Sequence, residues 1–140
     1  MIQGNVRGLL SYDKTKILTL ERLANLNNSV AIMLTETHLS IDIEDSEVNI
    51  NGWNVLRGDR SNRKCGGSII YTKDGLTVAN ESNFSNDYCD VVAVYISNRN
   101  IAMISVYRPP SCPTAKFSEV ISYMEKWLSV KFEIFRRLEL

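Results

Sequence analysis

Glu36 is well placed to do chemistry, because it follows a continuous apolar run. The run Val-Ala-Ile-Met-Leu at residues 30–34 predicts a strand that is buried on both faces. The carboxyl end of such a strand borders the crevice of an open α/β sheet. Glu36 lies there between the hydroxyls of Thr35 and Thr37, and it is followed by the only histidine, His38. A carboxylate in this position could hold a hard cation such as Mg²⁺; a solvated acid in a turn is the competing interpretation.

Polar residues also follow two other predicted strands. Asn5 comes near the end of a short strand at residues 2–6, and Tyr107 and Arg108 follow a β-branched run at residues 101–106. Polar side chains at the carboxyl ends of strands are candidates for a functional site. Asparagine also satisfies backbone groups in turns, and a tyrosine at a strand end can be an ordinary amphipathic side chain. Both interpretations remain open from the residues alone.

A local basic stretch at residues 57–64 is the third candidate feature. It holds Arg57, Arg60, Arg63 and Lys64 against one acid, Asp59. Arg60, Arg63 and Lys64 could contact a phosphate of DNA, although solvated surface charge is the commoner explanation. Asp59 and Arg60 could also form a local surface ion pair.

The apolar pattern predicts the elements that must position these residues. Helical periodicity covers residues 15–27 and 114–128. Short strand-like runs occupy residues 2–6, 30–34, 53–56, 68–71, 76–79, 91–96 and 101–106. Asp74-Gly75 predicts a hairpin before residues 76–79, and residues 80–87 read as a polar loop. The order strand, helix, strand, several strands, helix suits an α/β sandwich.

Composition narrows the class of protein. The 140 residues carry a formal net charge of +0, so no global basic field indicates nucleic acid. A hydrophobic content of 44% argues against disorder, and the apolar runs are far too short to span a membrane. No segment resembles a secretory signal, and the three widely spaced cysteines suit reduced thiols. We therefore expect an intracellular protein, nuclear or cytoplasmic.

Six motifs, taken in order, resemble the endonuclease/exonuclease/phosphatase superfamily. Within it they are most similar to the apurinic-type endonuclease domain of LINE-type non-LTR retrotransposons. The resemblance covers about residues 3–128, and the ordered set is more specific than any single piece. The motifs are Asn-Val-Arg-Gly-Leu at 5–9, Leu-Thr-Glu-Thr-His-Leu at 34–39, Gly-Trp at 52–53, Asp-Arg at 59–60, Gly-Gly at 66–67 and Val-Tyr-Arg-Pro-Pro at 106–110.

The resemblance implies a fold, a reaction and a set of roles. The fold would be the N-terminal part of a DNase I-like four-layer α/β sandwich, with a mixed, mostly antiparallel sheet and flanking helices. The reaction would be metal-dependent nicking of DNA, with Glu36 as ligand to Mg²⁺ or Mn²⁺, Asn5 and Tyr107 as catalytic residues, and Arg60 and Arg108 binding substrate. His38 matches a histidine that is not catalytic in the family, which favours a structural hydrogen-bonding role.

The sequence departs from the family pattern after the second helix. Neither a Gly-Asp-x-Asn nor a Ser-Asp-His segment is present, although both supply active-site residues in the family. We therefore expect a partial domain at residues 1–128, a non-matching tail at 129–140, and no activity from this chain by itself. A sheet without its partner would expose an apolar face and favour self-association. The alternatives are another phosphoesterase of the superfamily, a phosphatase or phospholipase, or a non-catalytic remnant.

Overall fold

Two β-sheets form the centre of the computed structural model, which describes residues 1–60 and 65–138. The elements are β1 (Ile2–Asn5), α1 (Thr15–Leu26), β2 (Ala31–Thr35), α2 (Asp45–Val48), β3 (Trp53–Gly58), β4 (Ser68–Lys73), β5 (Val78–Ser85), β6 (Asp90–Ile96), β7 (Ile101–Tyr107) and α3 (Thr114–Leu138). The first sheet has the strand order β1-β2-β4-β3, and the second has the order β5-β6-β7.

The first sheet is mixed, and the second is antiparallel. β1 and β2 are parallel and are joined through α1, whereas β2, β4 and β3 pair antiparallel. The second sheet is antiparallel throughout. The prediction of a mixed, mostly antiparallel α/β sandwich is therefore confirmed.

Alternating side chains on the central strands separate the layers. Ile69 and Tyr71 on β4 pack in a cluster with Ile17 of α1, whereas Ile70 between them packs toward the second sheet. On β6, Val92 joins that inter-sheet cluster, while its neighbour Val91 packs toward α3. Side chains that alternate in a strand point to opposite faces. The result is four layers: α1, first sheet, second sheet, α3.

Two local predictions about the fifth strand are wrong. The polar residues 80–87 were expected in a loop, but most of them belong to β5. Among the described residues β5 pairs with β6 alone, and Phe84 of β5 stacks on Tyr123 of α3. The turn at Asp74 and Gly75 does not close a hairpin either, because β4 and β5 lie in different sheets.

The last helix runs past the expected boundary at residue 128. α3 continues to Leu138, and no proline or glycine interrupts residues 114–138. None of the helices in the described part of the chain is long and apolar enough to cross a membrane.

The expected exposed sheet face is not found in the described residues. Both sheets are present, and their facing sides enclose a shared cluster that includes Leu56, Ile70 and Val94. Their outer sides pack against α1 and α3. The predicted self-association, which was based on an exposed sheet face, is therefore not supported.

Tyr71 offers a test of the first sheet's packing. Its side chain is 0% exposed, and its hydroxyl donates a hydrogen bond of 2.7 Å to the carbonyl of Val48 in α2. Burial raises the pKa of Tyr71, which keeps the hydroxyl neutral. We expect Tyr71→Phe to lower the free energy of unfolding in urea by about 1–2 kcal/mol, because the Val48 carbonyl loses its donor.

Tyr12→Phe is the matched control, because Tyr12 is 81% exposed. This variant should stay within about 0.5 kcal/mol of the parent chain. Equal unfolding midpoints for both variants and the parent would contradict the assigned hydrogen bond.

Candidate functional site

The carboxyl ends of β1 and β2 meet at one edge of the first sheet. Asn5 is in register with Thr35 across this parallel pair, so Glu36 directly follows the same edge. β4 runs the other way and begins there, since Ser68 is opposite both Thr35 and Gly58. The loop before β4 and the end of β3 are therefore brought to the same edge as Asn5 and Glu36.

The second sheet contributes its own loops to this edge. Asp90 begins β6 and is in register with Tyr107, the last residue of β7. The hydroxyl of Ser68 donates to the hydroxyl of Ser105 at 2.6 Å, which joins β4 to β7 through a buried hydrogen bond. Tyr107 thus lies two residues from a direct link to the first sheet.

The turn formed by Gly66 and Gly67 is the meeting point of these loops. The N–H of Gly67 donates to Asp90 Oδ2 at 2.7 Å, and the carbonyl of Gly66 accepts the N–H of His38 at 2.9 Å. A Cβ on Gly66 would lie 2.7 Å from Asp90 Oδ2 and 3.1 Å from Tyr107 Cε1. A Cβ on Gly67 would overlap Thr37 Oγ1. Both glycines have positive φ, +113° and +91°, so a side chain is excluded by conformation and by space.

Asp90 is the residue that sequence reasoning missed. Its side chain is 0% exposed, and its second carboxylate oxygen accepts the Ser85 hydroxyl at 2.7 Å. A buried carboxylate is costly unless it is hydrogen-bonded, so Asp90 fixes the turn at Gly67 relative to β6. The available signal was an acid immediately before the apolar run at residues 91–94.

The backbone after β2 is held in an uncommon conformation. Glu36 and His38 both have φ of +55°, a left-handed geometry that is unfavourable for residues other than glycine. The N–H of Gly8 donates to the Glu36 carbonyl at 2.7 Å, and the N–H of Leu9 donates to the Thr37 carbonyl at 2.9 Å. Strain of this kind clusters at functional sites. Glu36, which is half-buried, therefore lies in a loop whose backbone is fixed by hydrogen bonds.

Two consecutive residues of this loop each have a buried side-chain atom without a hydrogen-bond partner among the described residues. They are Thr37 Oγ1 and His38 Nε2. The His38 main chain donates to Gly66, which is not a side-chain contact, so the structural hydrogen-bonding role of its imidazole stays a prediction.

Asn5 acts locally as the structural alternative predicts. Its Oδ1 accepts the N–H of Arg7 at 3.1 Å, which shapes the loop after β1. The ammonium group of Lys16 closes the same loop by donating to the carbonyls of Val6 at 2.6 Å and Gly8 at 2.8 Å. This loop in turn holds the Glu36 backbone, so Asn5 contributes to the site at least through geometry.

The basic residues have different surroundings from those that the sequence suggested. Asp59 pairs with Arg57 at 2.6 Å, and Arg57 also pairs with Asp45 at 2.9 Å. Burial opposes the charge of Arg57, but the hydrogen bonds that it donates to Asp59 and Asp45 raise its pKa above the ordinary value. The guanidinium group of Arg57 is therefore bound to acids of the protein itself. Arg60 is half-buried just beyond β3.

Arg108 is exposed, but its guanidinium group lies over the ring of Phe117, 4.1 Å from the centroid. This cation–π contact ties the segment after Tyr107 to α3. Arg63 and Lys64 lie outside the described residues, so their predicted contribution to a basic surface has no structural counterpart here.

The donor groups at this edge fit a magnesium ion only in part. Glu36 offers one carboxylate, whereas both oxygens of Asp90 already accept hydrogen bonds from the protein. Within residues 1–60 and 65–138, no group of three His, Cys, Asp or Glu side chains could hold a metal. Mg²⁺ often keeps several waters and uses substrate phosphate as a ligand. Glu36 could therefore supply one ligand, with water and phosphate supplying the others.

Solved structures with the same arrangement of elements decide the fold. The chain aligns with an AP endonuclease from Archaeoglobus fulgidus at a TM-score of 0.58 and 15% identity, over 91% of this chain. It aligns with the endonuclease domain of TRAS1, a telomere-specific non-LTR retrotransposon, at 0.58 and 17%, over 90% of this chain. The fold is DNase I-like. The expectation drawn from the ordered motifs is confirmed at this level.

A 3′ phosphatase from Neisseria, solved with a product DNA hairpin, has the same fold, with a TM-score of 0.57 and 17% identity over 94% of this chain. The chain spans about half the length of these three structures, 49%, 52% and 49% respectively. A scan of protein-family models and a search of curated proteins gave no match. The fold is thus one shared by nucleases and other phosphoesterases, and this similarity does not distinguish between their reactions.

Gly67→Ala tests the meeting point directly. The added Cβ would combine the cost of a positive φ with overlap at Thr37 Oγ1. We expect a loss of about 2–4 kcal/mol in the free energy of unfolding. Gly75→Ala is the matched control, because Gly75 has φ of +97° but no atom within 4 Å of the added Cβ. It should lose only about 1–2 kcal/mol; equal losses in urea denaturation would refute the close packing at Gly67.

Proposed function

We propose that this chain is the amino-terminal part of a metal-dependent DNA endonuclease of the non-LTR retrotransposon kind. One observation carries the proposal. Loops from both sheets, bearing Glu36 and Tyr107, are packed against the same turn at Gly66 and Gly67. Folds that hydrolyse phosphate esters need groups from several loops at one end of a rigid scaffold. The fold shared with a retrotransposon endonuclease domain supports the assignment.

Each residue has a role in this proposal. Glu36 supplies a metal ligand, Tyr107 lies near the scissile phosphate, and Asn5 belongs to the hydrogen-bond network around it. Arg60 and Arg108 contact backbone phosphates of DNA, which positions the substrate without reading its sequence. Bound Mg²⁺ or Mn²⁺ would neutralise the charge that develops on the phosphate oxygens.

The fold also supports a proposal for the class of substrate. DNA is favoured because the solved structures that it matches include AP endonucleases and a phosphatase with a DNA hairpin. The protein's own charge is +0, so its affinity for DNA depends on a few exposed cations and should be non-specific. A phosphomonoesterase is the second candidate, because a 3′ phosphatase has this fold.

We further propose that these 140 residues do not cleave DNA by themselves. Hydrolysis requires a base that activates water and a group that protonates or stabilises the leaving oxygen. The sequence has no Gly-Asp-x-Asn or Ser-Asp-His segment, which would supply those groups in the family. The Asp90 carboxylate is not a substitute, since it is 0% exposed and holds the Gly67 N–H.

The metal role of Glu36 can be tested without activity. Mn²⁺ should bind the parent chain weakly, as measured by water proton relaxation, and Glu36→Ala should abolish that binding because the only proposed carboxylate ligand is lost. Glu125→Ala is the control, because Glu125 is an exposed acid on α3. Binding that is unchanged in Glu36→Ala, or lost in both variants, would remove Glu36 as the ligand.

Catalytic incompleteness is tested with supercoiled plasmid and a phosphomonoester, each with Mg²⁺. We expect neither nicking nor phosphate release above background, since loss of a general base alone lowers the rate by about 10²–10⁴. Nicking by purified protein that disappears in Glu36→Ala and persists in Glu125→Ala would show that the chain completes its own site. Phosphate release with the same dependence would favour the phosphomonoesterase.

A further inference from the structure

Two of the three cysteines are in contact. Cys89 Sγ and Cys112 Sγ lie 3.5 Å apart, although the residues are 23 positions apart in the sequence. Both are buried, with exposures of 0% and 6%, and neither is disulfide-bonded. The third cysteine, Cys65, is exposed. Widely spaced thiols that were not expected to pair are thus brought together by the fold.

The pair links the start of a central strand to the irregular connection between β7 and α3. Cys89 directly precedes β6, a central strand paired on both sides. Cys112 lies in the connection between β7 and α3, where its N–H closes a turn onto the Pro109 carbonyl at 3.0 Å. Forming an S–S bond of about 2.05 Å requires the sulfurs to approach by roughly 1.5 Å. A side chain in an irregular connection can make this adjustment more readily than one at the start of a central strand.

We propose that Cys89 and Cys112 form a reversible dithiol–disulfide redox site. Its oxidant is a low-molecular-weight disulfide, such as glutathione disulfide. The inference does not depend on metal binding or on nuclease activity. It assigns a chemical function to the layer between the second sheet and α3, where the two cysteines share a hydrophobic cluster with Val91 and Val120.

The oxidation proceeds by two successive thiol–disulfide exchanges. The thiolate of Cys112, the more accessible of the two, attacks glutathione disulfide; one S–S bond breaks, a mixed disulfide forms, and one glutathione thiolate leaves. The Cys89 thiolate then attacks the Cys112 sulfur, which releases the second glutathione. The protein loses two electrons and two protons, and glutathione disulfide becomes two glutathione molecules.

The bond would act on the site edge through short chain segments. Cys89 is followed by Asp90, which holds the Gly67 turn, and the segment containing Cys112 begins just after Tyr107. Oxidation would therefore tie the connection after β7 to the start of β6. By restricting the unfolded chain, it should raise the melting temperature by about 5–10 °C.

The test uses the full chain with Cys65→Ser, which removes the exposed thiol. The protein is equilibrated with glutathione disulfide, quenched with acid, unfolded, and alkylated. Intact mass should show neither alkyl groups nor glutathione and a loss of two hydrogen atoms, and peptide mapping should join Cys89 to Cys112. Dithiothreitol should restore two alkylatable thiols, and the melting temperature should fall back to that of the reduced form.

Cys65→Ser combined with Cys112→Ala is the matched control, because it keeps Cys89 but removes its partner. It should form no internal disulfide and show no rise in melting temperature after the same treatment. The proposal is overturned if both thiols of the Cys65→Ser protein remain alkylatable, or if only glutathione adducts accumulate. These readouts involve neither DNA nor metal, so their failure would leave the proposed endonuclease function to be judged separately.

Discussion

The carboxylate of Asp90 is the constraint on which the arrangement of this edge depends. It is completely buried and accepts the Gly67 N–H and the Ser85 hydroxyl, each at 2.7 Å. A buried carboxyl group is costly unless such hydrogen-bond partners are in place. The turn before β4 must therefore approach β6 closely, and only glycine leaves room for that approach at positions 66 and 67.

The same contact connects the fold to the candidate site. The Gly66 carbonyl accepts the His38 N–H, so the turn also fixes the strained segment that carries Glu36. On its other side, the turn lies against the ring of Tyr107. A buried hydrogen bond between Ser68 and Ser105 reinforces the link between the sheets nearby. Displacement of the turn should consequently disturb both sheets and both candidate residues together, whereas a change at an isolated turn such as Gly75 should not.

Charge is used within the protein more than its sequence suggests. Arg57 is held by Asp45 and Asp59 and donates to the carbonyls of Ser40 and Ile43. Arg108 is exposed but stacks on Phe117. The cations of a basic stretch therefore cannot be counted as DNA contacts from their order in the chain. A DNA-binding role for this edge depends on Arg60 and on how strongly Arg108 is retained by α3.

The sequence by itself determined the elements whose signals are local. Apolar periodicity predicted α1 and the central strands, and the ordered motifs around Glu36 and Tyr107 predicted the fold. The roles of Asn5, Glu36, Tyr107, Arg60 and Arg108 remain predictions of that resemblance. The polar edge strand β5 was not predicted from the sequence. It is held by backbone hydrogen bonds to β6, which do not require particular side chains.

Tertiary structure alone decided which distant residues meet. It placed β4 and β5 in different sheets, paired Arg57 with Asp45, buried Asp90 beside the Gly67 turn, and brought Cys89 within 3.5 Å of Cys112. A continuous apolar run indicates that both faces of a strand are buried, but not which strand or helix covers each face. Those choices depend on the simultaneous packing of four layers, so no local stretch of the sequence contains them.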